Sequence, residues 1–427
     1  MCITARAALI PIRWCQLLSP TAARAAGSGS LSGRAEIGYD SFEERYSIVD
    51  ADTLDRIDEW RSRFHLSWAH GRYLENYFQL EGRALVGQDD AETAVRVRAM
   101  RQLPGRLGSR LSIDADFLHR AFSNNTDLQF PNNYNRVLAH SYGRVVISPA
   151  VALRVIDRLE VLNYHKRTEF DYDYTRNQIS LATEYGPGAT TDLSAGIRET
   201  SISIPDSMQI EYTAWTPFLI FRSTPSLSHS VFLNANAERR LYRPGSTRLS
   251  FWNVVASGRA EWAVKGPIGA ALEDNADWYD YDGGTGIYFD SVENRTVLLA
   301  RYIFDGRIRA EAGGAWGIFR SGQSPDDEYD EFGAVMRASV TPSQSAWIDV
   351  EYERGRRSYP SFSPNETFDS ASVFSDYSYH RVALLAAWQF HDGLSVNAFF
   401  DYQPEDHERK GDDATATLFS ANLTWAF

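Results

Sequence analysis

The stretch Leu418–Phe427 reads LFSANLTWAF, and its side chains alternate strictly. Phe419, Ala421, Leu423, Trp425 and Phe427 fall on every second position, with Ser420, Asn422, Thr424 and Ala426 between them. A period of two is the signature of a β-strand, because successive side chains point to opposite faces. One face of this strand is apolar up to its final ring, so it requires an apolar surround. The remainder of the sequence decides whether that surround is a protein interior or a lipid.

Alternation extends across almost the whole chain beyond Gly33. Trp60, Phe64, Leu66 and Trp68 share a face, as do Leu111, Ile113, Ala115 and Phe117, and later Ile308, Ala310 and Ala312. The opposite faces are often fully charged: Arg106, Arg110, Asp114 and Asp116 in one segment, Arg307, Arg309 and Glu311 in another. Glu75, Gln79, Glu81 and Arg83 form a third such face. No segment offers three turns of helical periodicity, and no run nears the ~18 apolar residues of a transmembrane helix. The 22 Tyr, 23 Phe and 11 Trp favour strands, and in particular barrels with aromatic bands at two membrane interfaces.

Connections alternate in kind. Reading back from Phe427, Gln403–Asp413 is long and charged, and His391-Asp392-Gly393 is a tight turn. Tyr359–Tyr377 is long, Thr341–Ser345 short, Ser321–Asp330 long, Phe304–Arg307 short, Asp280–Asn294 long and Lys265-Gly266-Pro267 short. Tight turns at one end and long loops at the other are expected of a closed barrel in a membrane, where no backbone group can go unpaired. The expectation is an all-β fold: a closed antiparallel transmembrane β-barrel of about 18–20 strands with no plug domain. Residues 1–26 read as a signal peptide, with small residues around Ala23–Ala25, and residues 27–427 as the barrel. Cys2 and Cys15 both fall in that leader, so no disulfide framework is expected.

The segment ending at Phe427, with Trp425, Leu423 and Phe419 spaced behind it, resembles the assembly signal of Gram-negative outer-membrane β-barrel proteins. The resemblance implies an outer-membrane location, contact with lipid and lipopolysaccharide, and recognition of Phe419, Leu423, Trp425 and Phe427 by the barrel assembly machinery. It is a likeness to a porin-like class and singles out no one family.

A barrel of this size encloses water, whereas about eight strands are filled by side chains. The function expected is a porin-like channel passively conducting small hydrophilic solutes. Lumen-charge candidates are Arg83, Arg96, Arg98, Arg106, Arg110, Arg307 and Arg309, with Glu75, Glu81, Asp114, Asp116, Glu311, Asp349 and Glu351 of opposite sign; Arg301, Arg337, Arg381, Glu353 and Asp401 join them. Facing ladders of opposite sign would set a transverse field, whereas cross-strand ion pairs would cancel locally; the even mixture of signs favours the pairs. The long loop Tyr359–Tyr377 is a candidate to fold inward as a constriction.

A net charge of −13 without clustered Lys or Arg argues against nucleic acid. No cofactor is implied; Asp280-Tyr281-Asp282-Gly283 lacks the closing glutamate of a calcium loop, since Ser291 stands at its twelfth position. No catalytic residue stands out. The nine histidines are scattered, and His140 and Ser141 fall on opposite faces of one strand. Export of an exopolysaccharide is the alternative function, with a barrel hydrolase and a surface adhesin behind it.

Overall fold

The computed structural model describes the chain from Gly29 to Phe427, apart from residues 49–50, 73–75, 89, 105–107, 123–132, 166–171, 189, 206, 227–228, 284–287, 324, 361–374 and 409–412. The proposed leader, Glu75, Arg106 and most of the Tyr359–Tyr377 loop therefore lie outside the described residues.

Among the described residues twenty strands follow one another in order. They are β1 (Ser30–Ile48), β2 (Ala51–Gly71), β3 (Asn76–Gly87), β4 (Asp90–Gln102), β5 (Arg110–Phe122), β6 (Tyr134–Ser148) and β7 (Val151–Tyr164). Next come β8 (Tyr174–Gly188), β9 (Thr191–Ser203), β10 (Tyr212–Ser226), β11 (His229–Tyr242), β12 (Phe251–Lys265), β13 (Ile268–Tyr281) and β14 (Ser291–Phe304). The last are β15 (Ile308–Arg320), β16 (Tyr329–Ser343), β17 (Ala346–Ser358), β18 (Tyr377–His391), β19 (Leu394–His407) and β20 (Ala414–Ala426). Each pairs antiparallel with its sequence neighbours, and β20 pairs with β1 from Arg34↔Ala426 to Tyr46↔Ala414, closing the sheet. Gly33 and Phe427 exchange two backbone hydrogen bonds, of 2.8 and 2.9 Å, at the foot of that seam. Closure leaves no edge strand, the condition hydrocarbon imposes. Among the described residues there is no separate plug domain.

The two rims differ. On one, two or three residues join β6 to β7, β12 to β13, β14 to β15, β16 to β17 and β18 to β19. The positive φ of Gly266, Gly306 and Gly393 lets such turns reverse the chain, and Asp305 shares that conformation. The other rim carries the long connections, including 204–211, 243–250, 282–290, 321–328 and 359–376. Two short ones interrupt it: β1–β2, whose arms overshoot β3, and β3–β4. The connection read as Gln403–Asp413 is shorter than expected, because β19 continues to His407 and pairs Pro404 with Thr415 and Glu405 with Ala414. Proline is accepted there because one missing donor costs a single ladder bond.

The apolar face of each strand points outward. Trp425 and Phe427 are 57% and 64% exposed, and Leu66, Ile113, Leu181, Leu298 and Met336 are likewise open. Outward aromatics gather in two bands. Trp68, Phe78, Tyr302, Trp388, Phe390 and Trp425 lie toward the short-turn rim, and Trp60, Trp215, Trp252, Trp278, Trp316 and Phe332 toward the long-loop rim. A continuous apolar belt of this extent is incompatible with water and matches a bilayer flanked by its two interfaces.

Candidate functional site

Charged side chains on the non-apolar faces look inward, and their contacts prove it. Arg259 Nη2 on β12 donates to Glu311 on β15 at 2.7 Å, Arg309 Nη2 on β15 to Glu261 on β12 at 2.6 Å, and Arg337 Nη1 on β16 to Glu273 on β13 at 2.7 Å. Strands lie about 4.8 Å apart, so partners three strands distant meet only where the sheet is concave. Twenty strands at the usual tilt enclose a cylinder of roughly 20 Å radius to the backbone. The concave wall is the candidate site, and its charges fall into two unlike arcs.

From β12 to β19 nearly every guanidinium is matched. Arg309 also donates to Glu311 from Nε at 2.8 Å, Arg301 to Glu261 at 2.5 Å, Arg337 to Glu351 at 2.8 Å and Arg381 to Asp401 at 2.6 Å. Nearer the long-loop rim Glu331 receives Arg357 at 2.6 Å and the Tyr379 hydroxyl at 3.0 Å, while Arg295 reaches both Glu331 and Glu353. Arg357 lies 4.0 Å over the Tyr329 ring, in a buried cluster with Tyr359, Tyr377 and Tyr379. Burial pushes the phenol of Tyr359, just beyond β17, above its ordinary range, with Arg357 opposing.

The same inner rim carries aromatic pairs at points from β6 round to β18. Tyr134 meets Tyr164 at 5.7 Å, Tyr212 meets Tyr242 at 5.7 Å, Phe251 meets Tyr281 at 5.2 Å and Phe319 stacks on Tyr329 at 5.6 Å. These rings narrow the mouth from within. On the outer face of the same rim, level with outward Trp215 and Trp252, Arg239 grips the loop residue Asp282 with two bonds of 3.0 and 2.5 Å, holding that carboxyl below the usual carboxylate range.

The arc from β5 to β9 is different. Arg110, Arg144 and Arg154 are direct cross-strand neighbours, Arg110↔Arg144 and Arg144↔Arg154. One carboxylate serves this trio: Glu184 accepts from Arg144 at 2.7 Å and lies 3.1 Å from Arg154. Like charges placed directly opposite are destabilising. Higher on this arc, Arg136, Arg176 and Arg198 have no carboxylate within ion-pair reach among the described residues, and Arg158 stands 3.6 Å from Glu160. Arg110 and Arg198 instead lie over the rings of Tyr142 and Phe218, at 5.2 and 5.7 Å.

No family model matches the chain, and no curated protein matches it in sequence. Solved structures do share its architecture. The FrpB iron transporter from Neisseria meningitidis superposes with a TM-score of 0.57 at 8% identity, over 93% of this chain and 81% of that one. The copper transporter OprC gives 0.53 at 10% identity, covering 95% and 84%. The siderophore receptor PirA from Pseudomonas aeruginosa gives 0.52 at 9% identity, covering 94% and 81%. The fold is that of a bacterial outer-membrane β-barrel. With its apolar belt and aromatic bands, the chain belongs in the bacterial outer membrane, short turns in the periplasm and long loops outside.

Most of the charges singled out from sequence lie on the inner wall of this outer-membrane barrel. Arg96 and Arg98 converge on Asp114, with Arg96 Nε at 2.7 Å and Arg98 Nε at 3.0 Å, and Arg83 pairs with Asp116. Glu81 sits 3.0 Å from His65 Nε2. Asp349 lies on the same face of β17 as Glu351, opposite Ser339. Arg307 does not join them: it is exposed in the periplasmic turn, where Asp305 and Gly306 reverse the chain before β15 begins at Ile308. Phe419, Leu423, Trp425 and Phe427 face outward at the seam. Arg136, Arg144, Arg154, Arg158, Arg176 and Arg198, and the inner aromatic rim, were not foreseen. The available signal was the even-numbered arginine spacing through β6 and β7, broken by inward Leu138, Ile156 and Leu162.

Proposed function

We propose that this barrel is a passive channel for small hydrophilic solutes across the outer membrane. The observation that carries the reading is the inner wall: a closed sheet of twenty strands whose concave face is ionised and therefore wet, with no separate plug domain among the described residues. A filled barrel of this radius would need a large apolar interior. The buried apolar residues facing inward instead make only a thin lining: a small aliphatic group of Ala271, Val297, Leu299, Ala315 and Val335, the tyrosine cluster at the mouth, and scattered residues such as Leu118 and Leu162. Transport is also what the names of FrpB and OprC record for barrels of this shape. Solutes would pass the aromatic mouth, then a midsection whose two arcs differ in charge balance, and leave by the periplasmic rim.

Single-channel recording of the folded barrel in planar bilayers tests this. Discrete ohmic steps in potassium chloride are expected. Silence across many confirmed insertions would overturn the channel reading and favour the alternatives of a surface adhesin or a barrel hydrolase.

A further inference from the structure

We infer that the β5–β9 arc is a binding track for small organic anions, carboxylates in particular, and that such anions cross the lumen along this wall. The inference rests on the channel reading above and names the solute class it serves. Three features support it. Arg110, Arg144 and Arg154 stand side by side around the single carboxylate of Glu184, an arrangement that costs stability unless an anion relieves it. Arg158 and Arg198 follow higher on the wall, and Arg136 and Arg176 near the external rim, so guanidiniums recur up the wall; Arg154 and Arg158, four residues apart on β7, are separated by about 10 Å along the axis of the tilted sheet. Arg136, Arg176 and Arg198 have neither a carboxylate within ion-pair reach nor a side-chain hydrogen bond among the described residues.

The neighbours of these arginines neutralise them only in part: Glu184 is shared by Arg144 and Arg154, and Glu160 lies 3.6 Å from Arg158. Arg158 has His140 and Gln178 as cross-strand partners, and Arg198 has Ser180 and Thr216. Arg176 is registered with Glu160, but that carboxylate accepts the Tyr174 hydroxyl at 3.2 Å and lies nearer Arg158. Asp114 and Asp116 of β5 are occupied by Arg96 and Arg98 of β4 and by Arg83 of β3. The Phe218 ring lies 5.7 Å from the Arg198 guanidinium and takes none of its N–H groups, which leaves them for a carboxylate that can accept two parallel bonds. Across the lumen, the carboxylates of β12–β19 are engaged by arginines, so that wall offers no comparable site for an anion. Successive weak sites, none closed around its ligand, let a solute enter and leave.

The test uses the whole folded barrel in planar bilayers with potassium succinate as the probe. Reversal potentials in a succinate gradient give the permeability of the dianion relative to potassium. The wild type is expected to pass succinate, and Arg158→Gln/Arg198→Gln to lower that ratio at least fivefold while potassium conductance stays within about twofold. Arg158→Lys/Arg198→Lys should retain most of the permeability. The double change Arg381→Gln/Asp401→Asn, which removes a matched pair from the other wall, should leave it unaltered. If the double glutamine variant does not insert, each single variant is expected to give about half the logarithmic drop. Potassium chloride conductance without succinate permeability overturns the anion track alone, as does a wild-type ratio unchanged by the glutamine variants or equally reduced by the Arg381/Asp401 control. Absence of any conductance overturns the channel itself.

Discussion

Replacing Glu311 by glutamine should destabilise the barrel by about 2–3 kcal/mol, far more than the same change at Glu351. Glu311 is 6% exposed and accepts from Arg259 at 2.7 Å and from Arg309 Nε at 2.8 Å, with Arg337 at 4.0 Å. Removing one partner of a buried ion pair costs roughly 3–5 kcal/mol, because the charge left behind is stranded. Here the guanidinium side chains are 25%, 35% and 23% exposed, so lumen water rehydrates them and the cost falls to about 2–3 kcal/mol. Glu351 makes one 2.8 Å contact to Arg337 and is itself 26% exposed, so Glu351→Gln should cost only about 0.5–1 kcal/mol. Equilibrium urea titration of the barrel folded into phosphocholine vesicles, followed by tryptophan fluorescence, measures both. A cycle combining Glu311→Gln with Arg259→Gln should show a coupling of about 1–2 kcal/mol, and raising salt to molar levels should shrink it only modestly. Equal, sub-0.5 kcal/mol effects at the two glutamates would refute the view that this wall is an ionic truss.

Other consequences are simpler to state. Phe427→Asp or Trp425→Asp places a carboxylate on the outward face of the β1–β20 seam and removes a ring worth about 1.5–3 kcal/mol in lipid. Neither variant should insert, and normal heat-modifiable migration on gels would contradict this. Gly313→Val should destabilise by about 2–3 kcal/mol, since even a Cβ at that position meets the backbone carbonyl of Leu298, which cannot move aside; unaltered urea midpoints would count against it. Asp282 has its carboxyl depressed by Arg239, so the grip on the 282–290 loop is present above the unfolded-state value and is lost as pH falls through the lower folded one. Limited proteolysis of that loop should accelerate only in acid, and Arg239→Gln should abolish the pH dependence.

The fold was legible because its strongest signal is local. Alternation in Leu418–Phe427, and the tight turns at Lys265–Pro267 and His391–Gly393, needed no knowledge of neighbours. Charge distribution around the lumen was not local. Arg309 and Glu311 stood out because they alternate cleanly with Ile308 and Ala310, yet their partners Arg259 and Glu261 lie three strands away. The β6–β9 arginines were hidden for the converse reason. Inward Leu138 and Ile156 and outward Ser141 and Asn177 blur the alternation there, and a lack of partners shows only once the neighbouring strands are known. Arg307 misled because a two-residue step from Arg309 suggests the same face until a turn intervenes.

The seam has a temporal side. Glu36 and Thr424 sit opposite one another across it, although 388 positions of chain separate them. Every other strand can zip onto a neighbour already at hand, but this last pairing must wait until β20 has emerged, and loop closure on that scale is slow. Until then β1 and β19 present bare backbone to whatever surrounds them, which makes the unsealed cylinder an aggregation hazard and its sealing the step that assistance during biogenesis would most need to accelerate.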